Sequence, residues 1–167
     1  LVAEDGATGD WFGTSVAIHG DTIVVGAEGD DTDSGVNSGS AYVYTRAGTG
    51  PSANWTQQAR LVAEDGAADD YFGTSVAVHG DTIVVGADGD DTVNGTNSGS
   101  AYVYTRAGTG TSANWTQAKV VAKEDNAFFD GFGESVAIRG GTIVVGASDV
   151  DTDNGWDSGS AYVFDFC

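Results

Sequence analysis

Clusters of oxygen donors recur along this chain at a fixed spacing. Gly29 to Tyr44 reads GDDTDSGVNSGSAYVY, and Gly89 to Tyr104 reads GDDTVNGTNSGSAYVY. Aligning the copies superposes Asp31, Asp91 and Asp151, then Asn37, Asn97 and Asp157; Asp33 and Asp153 recur in two copies, and Val93 stands at that place in the other. A hard cation such as Ca²⁺ takes about six to eight oxygens, and carboxylates, an amide, backbone carbonyls and a glycine turn can wrap one. On that reading the second copy is the weaker site, because Val93 removes a donor. The same residues also build ordinary Asx turns by bonding their own backbone. Mg²⁺ fits less well, since it keeps its waters and demands octahedral geometry. Zinc and copper fit poorly: beyond His19, His79 and Cys167 the chain offers no nitrogen or sulfur ligands.

Other recurring residues carry weaker signals. Glu4, Asp5 and Asp10 return as Glu64, Asp65 and Asp70, and again as Glu124, Asp125 and Asp130. They either hold a cation or bond backbone amides, and the second use is the commoner one. Trp11, matched by Tyr71 and broken by Gly131, is a candidate ligand-facing aromatic. Trp55 and Trp115 suit a covering role at an outer edge, and His19, His79 and Arg139 share one turn position. Asn54, Asn94 and Asn114 each open an Asn-x-Thr sequon, the acceptor motif for glycosylation. No nucleophile elbow, zinc-protease motif or phosphate loop occurs. Paired carboxylates leave a glycosidase as a remote alternative, disfavoured because near-identical copies do not supply distinct catalytic roles.

The elements that position these residues follow from the repeat. Phe12-Gly13, Phe72-Gly73 and Phe132-Gly133 are 60 residues apart, and residues 1–60 differ from 61–120 at 12 positions. The repeats therefore run 1–60, 61–120 and 121–167, the last incomplete. Each carries four stretches with strand character, FGTSVAIHG, DTIVVGA, GSAYVYTRA and NWTQQARLVAEDG in the first copy, rich in β-branched and aromatic residues and bounded by Gly and Asp. His19-Gly20-Asp21 reads as a tight hairpin turn, and the acidic loop joins the second strand to the third. Strands apolar on both faces imply sheets packed on two sides. The prediction is all-β: three four-stranded antiparallel repeats stacked as propeller blades.

Composition narrows the partners. Six basic residues against 25 acidic give a net charge of −19, which excludes a phosphate-binding, nucleic-acid role and disfavours an anionic membrane surface. Such charge suits a cation-rich or saline setting. No apolar run is long enough to span a membrane as a helix. The chain opens on Leu1 and reads as a piece of something longer; Cys167 is its single cysteine, open to an intermolecular bond.

The series DxFGxSVA, GDTIVVGA and SGSAYVY resembles the FG-GAP repeat, the blade unit of the integrin α-subunit head and of many bacterial and algal surface proteins. The resemblance covers essentially the whole chain. It implies a propeller in which Phe12 with Gly13, and Gly26 with Ala27, make structural packing contacts, as do their counterparts in the other copies. The family's Asp-x-Asp-x-Asp-Gly calcium loop lies between the first and second strands, where this chain has only HGD or RGG, so that site is absent here. Three blades should not close a ring. The chain is then part of a longer propeller, half of a six-bladed dimer, or a filament subunit. The resulting expectation is a non-enzymatic extracellular or cell-surface module for adhesion or recognition, binding calcium in its acidic loops and a protein or glycan ligand. The alternatives are a lectin with repeated sites and a structural subunit of a filament or matrix.

Overall fold

The computed structural model describes residues 1–48, 54–107, 114–122 and 128–166. Eleven strands are present, and no helix occurs among the described residues. The first repeat contributes β1 (Val16–His19), β2 (Thr22–Ala27), β3 (Ser40–Ala47) and β4 (Asn54–Leu61). The second contributes β5 (Val76–His79), β6 (Thr82–Ala87), β7 (Ser100–Ala107) and β8 (Asn114–Val120). The third supplies β9 (Ser135–Arg139), β10 (Thr142–Ala147) and β11 (Ser160–Asp165). Each repeat is one antiparallel meander, so the chain forms two four-stranded sheets and one of three strands. The three sheets do not close into a ring. They form a partial propeller, whose third blade lacks an outermost strand among the described residues.

Local chemistry explains the meander. Gly20 at φ 58 opens the two-residue turn between β1 and β2, with glycine at the first central position as a tight hairpin requires. Arg46 pairs with Asp21 across that turn and lies over Trp55 with its guanidinium 5.7 Å from the ring centroid. Trp115 receives Arg106 in the same way, which makes both tryptophans covers for an outer strand. The first and second sheets differ in one detail. β3 and β4 shift register between Val43 and Tyr44, whereas β7 and β8 run without a shift; Gln58 is the extra residue that makes the bulge.

Sheets stack through alternate faces of each strand. Val24, Ala41, Val43 and Leu61 of the first repeat form one cluster with Phe72, Val76, Val78, Ile83 and Val85 of the second. Val84, Ala101 and Val103 do the same with Phe132, Ile143 and Val145 of the third. Each sheet thus has a leading face, turned to the following repeat, and a trailing face, turned to the preceding one. The Phe-Gly and Gly-Ala segments bond to each other within every repeat: Gly13, Gly73 and Gly133 donate to the carbonyls of Gly26, Gly86 and Gly146 at 2.9–3.0 Å.

Candidate functional site

The acidic loop first satisfies its own backbone. Asp31 Oδ1 accepts from the Asn37 amide at 2.9 Å, Asp91 Oδ1 from that of Asn97 at 2.9 Å, and Asp151 Oδ1 from that of Asp157 at 2.8 Å. Asn37, Asn97 and Asp157 hold φ of 51°, 51° and 50°, a left-handed conformation that Asn and Asp tolerate better than most residues. Thr32 and Gly35 exchange backbone bonds, and the Thr32 and Ser38 hydroxyls bond each other at 2.6 Å. Asp33 and Asp153 are exposed. Among the described residues no three His, Cys, Asp or Glu side chains converge as metal ligands would. Among the described residues, Asp31, Asp91 and Asp151 thus each commit one carboxylate oxygen to a backbone amide of their own loop.

A buried charge network lies next to this loop, and the sequence reading passed over it. Asp30 and Asp90, each immediately before the exposed Asp31 and Asp91, point inward. Asp30 accepts from Arg60 at 2.7 Å, Tyr42 at 2.9 Å and Ser40 at 2.5 Å. Asp90 pairs with Lys119 at 2.6 Å and accepts from Tyr102 at 2.9 Å. Burial raises the Tyr42 and Tyr102 phenols far above their ordinary range, and the adjacent aspartates add to the effect. Burial alone would lower the Lys119 ammonium, but its bonds to Asp65 and Asp90 outweigh that and leave it raised. In the third repeat Val150 occupies the same place and packs in the apolar cluster. The signal was available: Asp30 stands 30 residues ahead of the base Arg60, and Asp90 stands 29 ahead of Lys119, one fewer because the second copy lacks the bulge residue Gln58.

The crossing turn borders the loop. Asp10 and Asp70 are buried and accept from the amides of Ala7 at 2.5 Å and Ala67 at 2.6 Å, so these acids build the turn. Burial, with Asp90 and Asp91 nearby, pushes the Asp70 carboxyl up to about 6. Asp5 and Asp65 pair with Arg60 and Lys119. Glu124 and Asp125 lie outside the described residues, as does Cys167.

Trp11 and Tyr71 sit on this turn in left-handed backbone, at φ 53° and 56°, unusual for bulky residues. Their rings pack over Gly29 and Gly89, where a Cβ would meet first the Gly9 or Asp69 carbonyl and then the indole or phenol. Trp11 is exposed and Tyr71 half-buried. In the third repeat the pair is exchanged: Gly131 replaces the aromatic and Asp149 replaces the glycine. A cavity of about 440 Å³ opens there. The rings of Phe128, Phe129 and Trp156, all exposed, line it together with the carboxyl groups of Asp149, Asp151 and Asp157, above buried Asp130. Acid and aromatic surface are thus combined at one place, where the other two copies have the ring of Trp11 or Tyr71 lying against a glycine.

Of the remaining candidates, His19 and His79 stack at 4.5 Å between centroids, and His19 Nδ1 accepts from the Gly80 amide at 3.0 Å. Asn54 and Asn114 are exposed at the starts of β4 and β8. Asn94 is half-buried, and its amide donates to the Ala122 carbonyl at 3.1 Å. No helix among the described residues is long and apolar enough to cross a membrane. No curated protein matches the chain in sequence. The model of the FG-GAP repeat matches three times, over residues 1–44, 55–104 and 115–164, in register with the three sheets. With most of its length matched blade by blade, the chain belongs to the FG-GAP repeat family.

Proposed function

We propose that this chain is a non-enzymatic recognition module of an extracellular or cell-surface protein, acting in adhesion, and that its third repeat holds a basic group of a protein ligand. The carrying observation is the cavity left where Gly131 and Asp149 replace the aromatic–glycine pair of the other copies. Carboxylates supply charge for a guanidinium or ammonium, and ring faces beside them attract the same cation. A chain of net charge −19 also steers basic partners towards itself.

The test is calorimetric titration with octa-arginine in physiological salt, comparing Asp149→Asn with Asp33→Asn. Both variants remove one negative charge, so general electrostatics predicts equal effects. Site binding predicts a loss of about tenfold or more for Asp149→Asn and for Trp156→Ala, against less than about twofold for Asp33→Asn. Equal small losses would overturn the reading.

A second reading keeps calcium in the acidic loops, and the repeated placement of exposed Asp31, Asp91 and Asp151 beside loop carbonyls favours it, because a hard cation takes carboxylate and carbonyl oxygens together. Saturable calcium heat that Asp91→Asn weakens would support it. Absence of heat on the chelator-stripped protein would leave the loops as turn chemistry.

A further inference from the structure

Phe128, Phe129 and Trp156 are 67%, 61% and 88% exposed, and all three rings line the cavity of the third repeat. Neighbouring repeats do not explain that exposure. Phe128 and Phe129 lie on the turn between the second and third repeats, where the Phe129 amide donates to the Thr96 carbonyl at 3.0 Å and Phe128 lies against Gly95. Trp156 stands where the other copies have Val36 and Thr96, and both of those are exposed although another repeat follows each. Phe129 also holds φ 66°, at the place of Gly9 and Asp69. Glycine and aspartate tolerate that left-handed backbone; a bulky aromatic does not, and burial of its ring does not offset the cost. Exposed rings held together at one place, one of them in strained backbone, point to a ligand.

We propose that this cavity selects a quaternary ammonium group, the fully methylated form of an ammonium, over other cations. The inference rests on the reading of the cavity as a cation site and names the cation it takes. The acids there supply charge without forming a cage. Asp149 Oδ1 accepts from the Ser148 hydroxyl at 3.0 Å, and Asp151 Oδ1 from the Asp157 amide at 2.8 Å. Of the three carboxylates, Asp157 alone keeps both oxygens for the fork of a guanidinium. Asp149 Oδ2 lies 3.9 Å from where a Cβ on Gly131 would stand, beside the place from which the rings of Trp11 and Tyr71 start in the other copies. Among the described residues no three acidic or histidine side chains converge on one point, so a compact cation that needs several oxygens in contact is poorly held.

A quaternary ammonium has different needs. It carries no N–H to satisfy, spreads its charge over methyl groups, and is attracted by ring faces and by carboxylates that do not touch it directly. Its methyl groups also take apolar ring surface out of water. The cavity of about 440 Å³ leaves room for the chain that bears the group. The matching places in the other copies hold Thr8 and Gly9, or Ala68 and Asp69, with Val36 or Thr96 for Trp156, so one site per chain is expected. A methylated lysine side chain and a choline headgroup both end in this group.

The test is calorimetric titration of the chain with four probes: a short peptide carrying trimethyllysine, the same peptide with unmodified lysine, the same with a neutral tert-butyl isostere, and phosphocholine. The expected result is one site per chain, with a quaternary probe bound at least about tenfold more tightly than lysine or the neutral isostere. Whichever quaternary probe binds more tightly names the source of the group. Trp156→Leu and Phe128→Leu keep an apolar residue but remove the ring, and each should cut that advantage to under about threefold, while Asp33→Asn leaves it unchanged. Both rings are exposed, and circular dichroism checks the fold of each variant. Quaternary probes bound no more tightly than lysine would overturn the proposal, as would an advantage that survives both ring variants. If octa-arginine still binds through Asp149 in that case, the cation reading stands and only the quaternary selectivity falls; if no probe binds, both fall.

Discussion

The sequence Thr-Ile-Val-Val-Gly-Ala occurs as β2, β6 and β10 without a single change, yet the three strands live in different surroundings. In β6 every residue after Thr82 is buried, by the first repeat on one side and the third on the other. In β10 only the trailing residues Ile143, Val145 and Ala147 are buried, while Val144 is exposed on the leading side. Identical residues therefore have identical strand propensity but unequal stabilisation, and the neighbouring blade decides the difference. A repeat of this kind cannot bury both faces alone, which is why stacking is the source of its stability.

Substitutions at matched positions sharpen that comparison. Val150→Asp should cost the most, about 3–5 kcal/mol at neutral pH, because it buries a carboxylate where Asp30 and Asp90 have a base and no base stands among the described neighbours. The introduced acid would have a raised pKa, so the loss should shrink as pH falls and the carboxyl protonates. Denaturant midpoints at pH 7 and pH 4 check both statements. A loss that is equal at the two values would break the argument.

A smaller effect is native to the second repeat. The Asp70 carboxyl titrates at about 6 against an ordinary 3.8, so the folded chain binds this proton more tightly than the unfolded one. Its contribution is fully present below about pH 4 and is lost as pH rises through about 6. Asp70→Asn should flatten the stability profile in that window by about 1–2 kcal/mol, measured by urea unfolding across pH. An unchanged slope would rule Asp70 out as its source.

The smallest effect concerns the two bases. Arg60 donates Nε to Ser40 at 2.9 Å, but Lys119 leaves the buried Ser100 hydroxyl without a partner. Lys119→Arg should restore that bond and stabilise the chain by about 0.5–1.5 kcal/mol. A thermal midpoint that stays or falls would mean the longer guanidinium does not fit the second sheet.

Much of the fold was legible because its signals are local. Strand runs, the His19-Gly20-Asp21 turn and the 60-residue period each depend on residues near one another in sequence. The site was less legible. Asp30 and Asp31 are adjacent and chemically identical, yet one is buried and the other exposed; only the register that sets Tyr42 opposite Arg60 separates them. The cavity of the third repeat depends on an exchange between Gly131 and Asp149, 18 residues apart, whose meaning appears only once the aromatic of the other copies is seen lying on its glycine. The gap between leading and trailing faces was hidden altogether, since the residues on them are the same.

The following blade, and not a repeat's own residues, completes its leading face. The most direct measurement is parallel chemical denaturation of Gly86→Ala and Gly146→Ala. Gly86 faces the Gly133 carbonyl of the next repeat, so alanine there should cost about 3 kcal/mol or more through the backbone movement it forces. Gly146 has no carbonyl of another repeat against it, only Ser135 of its own, with the hydroxyl against a Cβ placed there and the backbone oxygen at 3.7 Å from it, so alanine should cost less than about 1 kcal/mol once the Ser135 hydroxyl turns aside. Equal losses at the two glycines would mean that each repeat completes its leading face by itself.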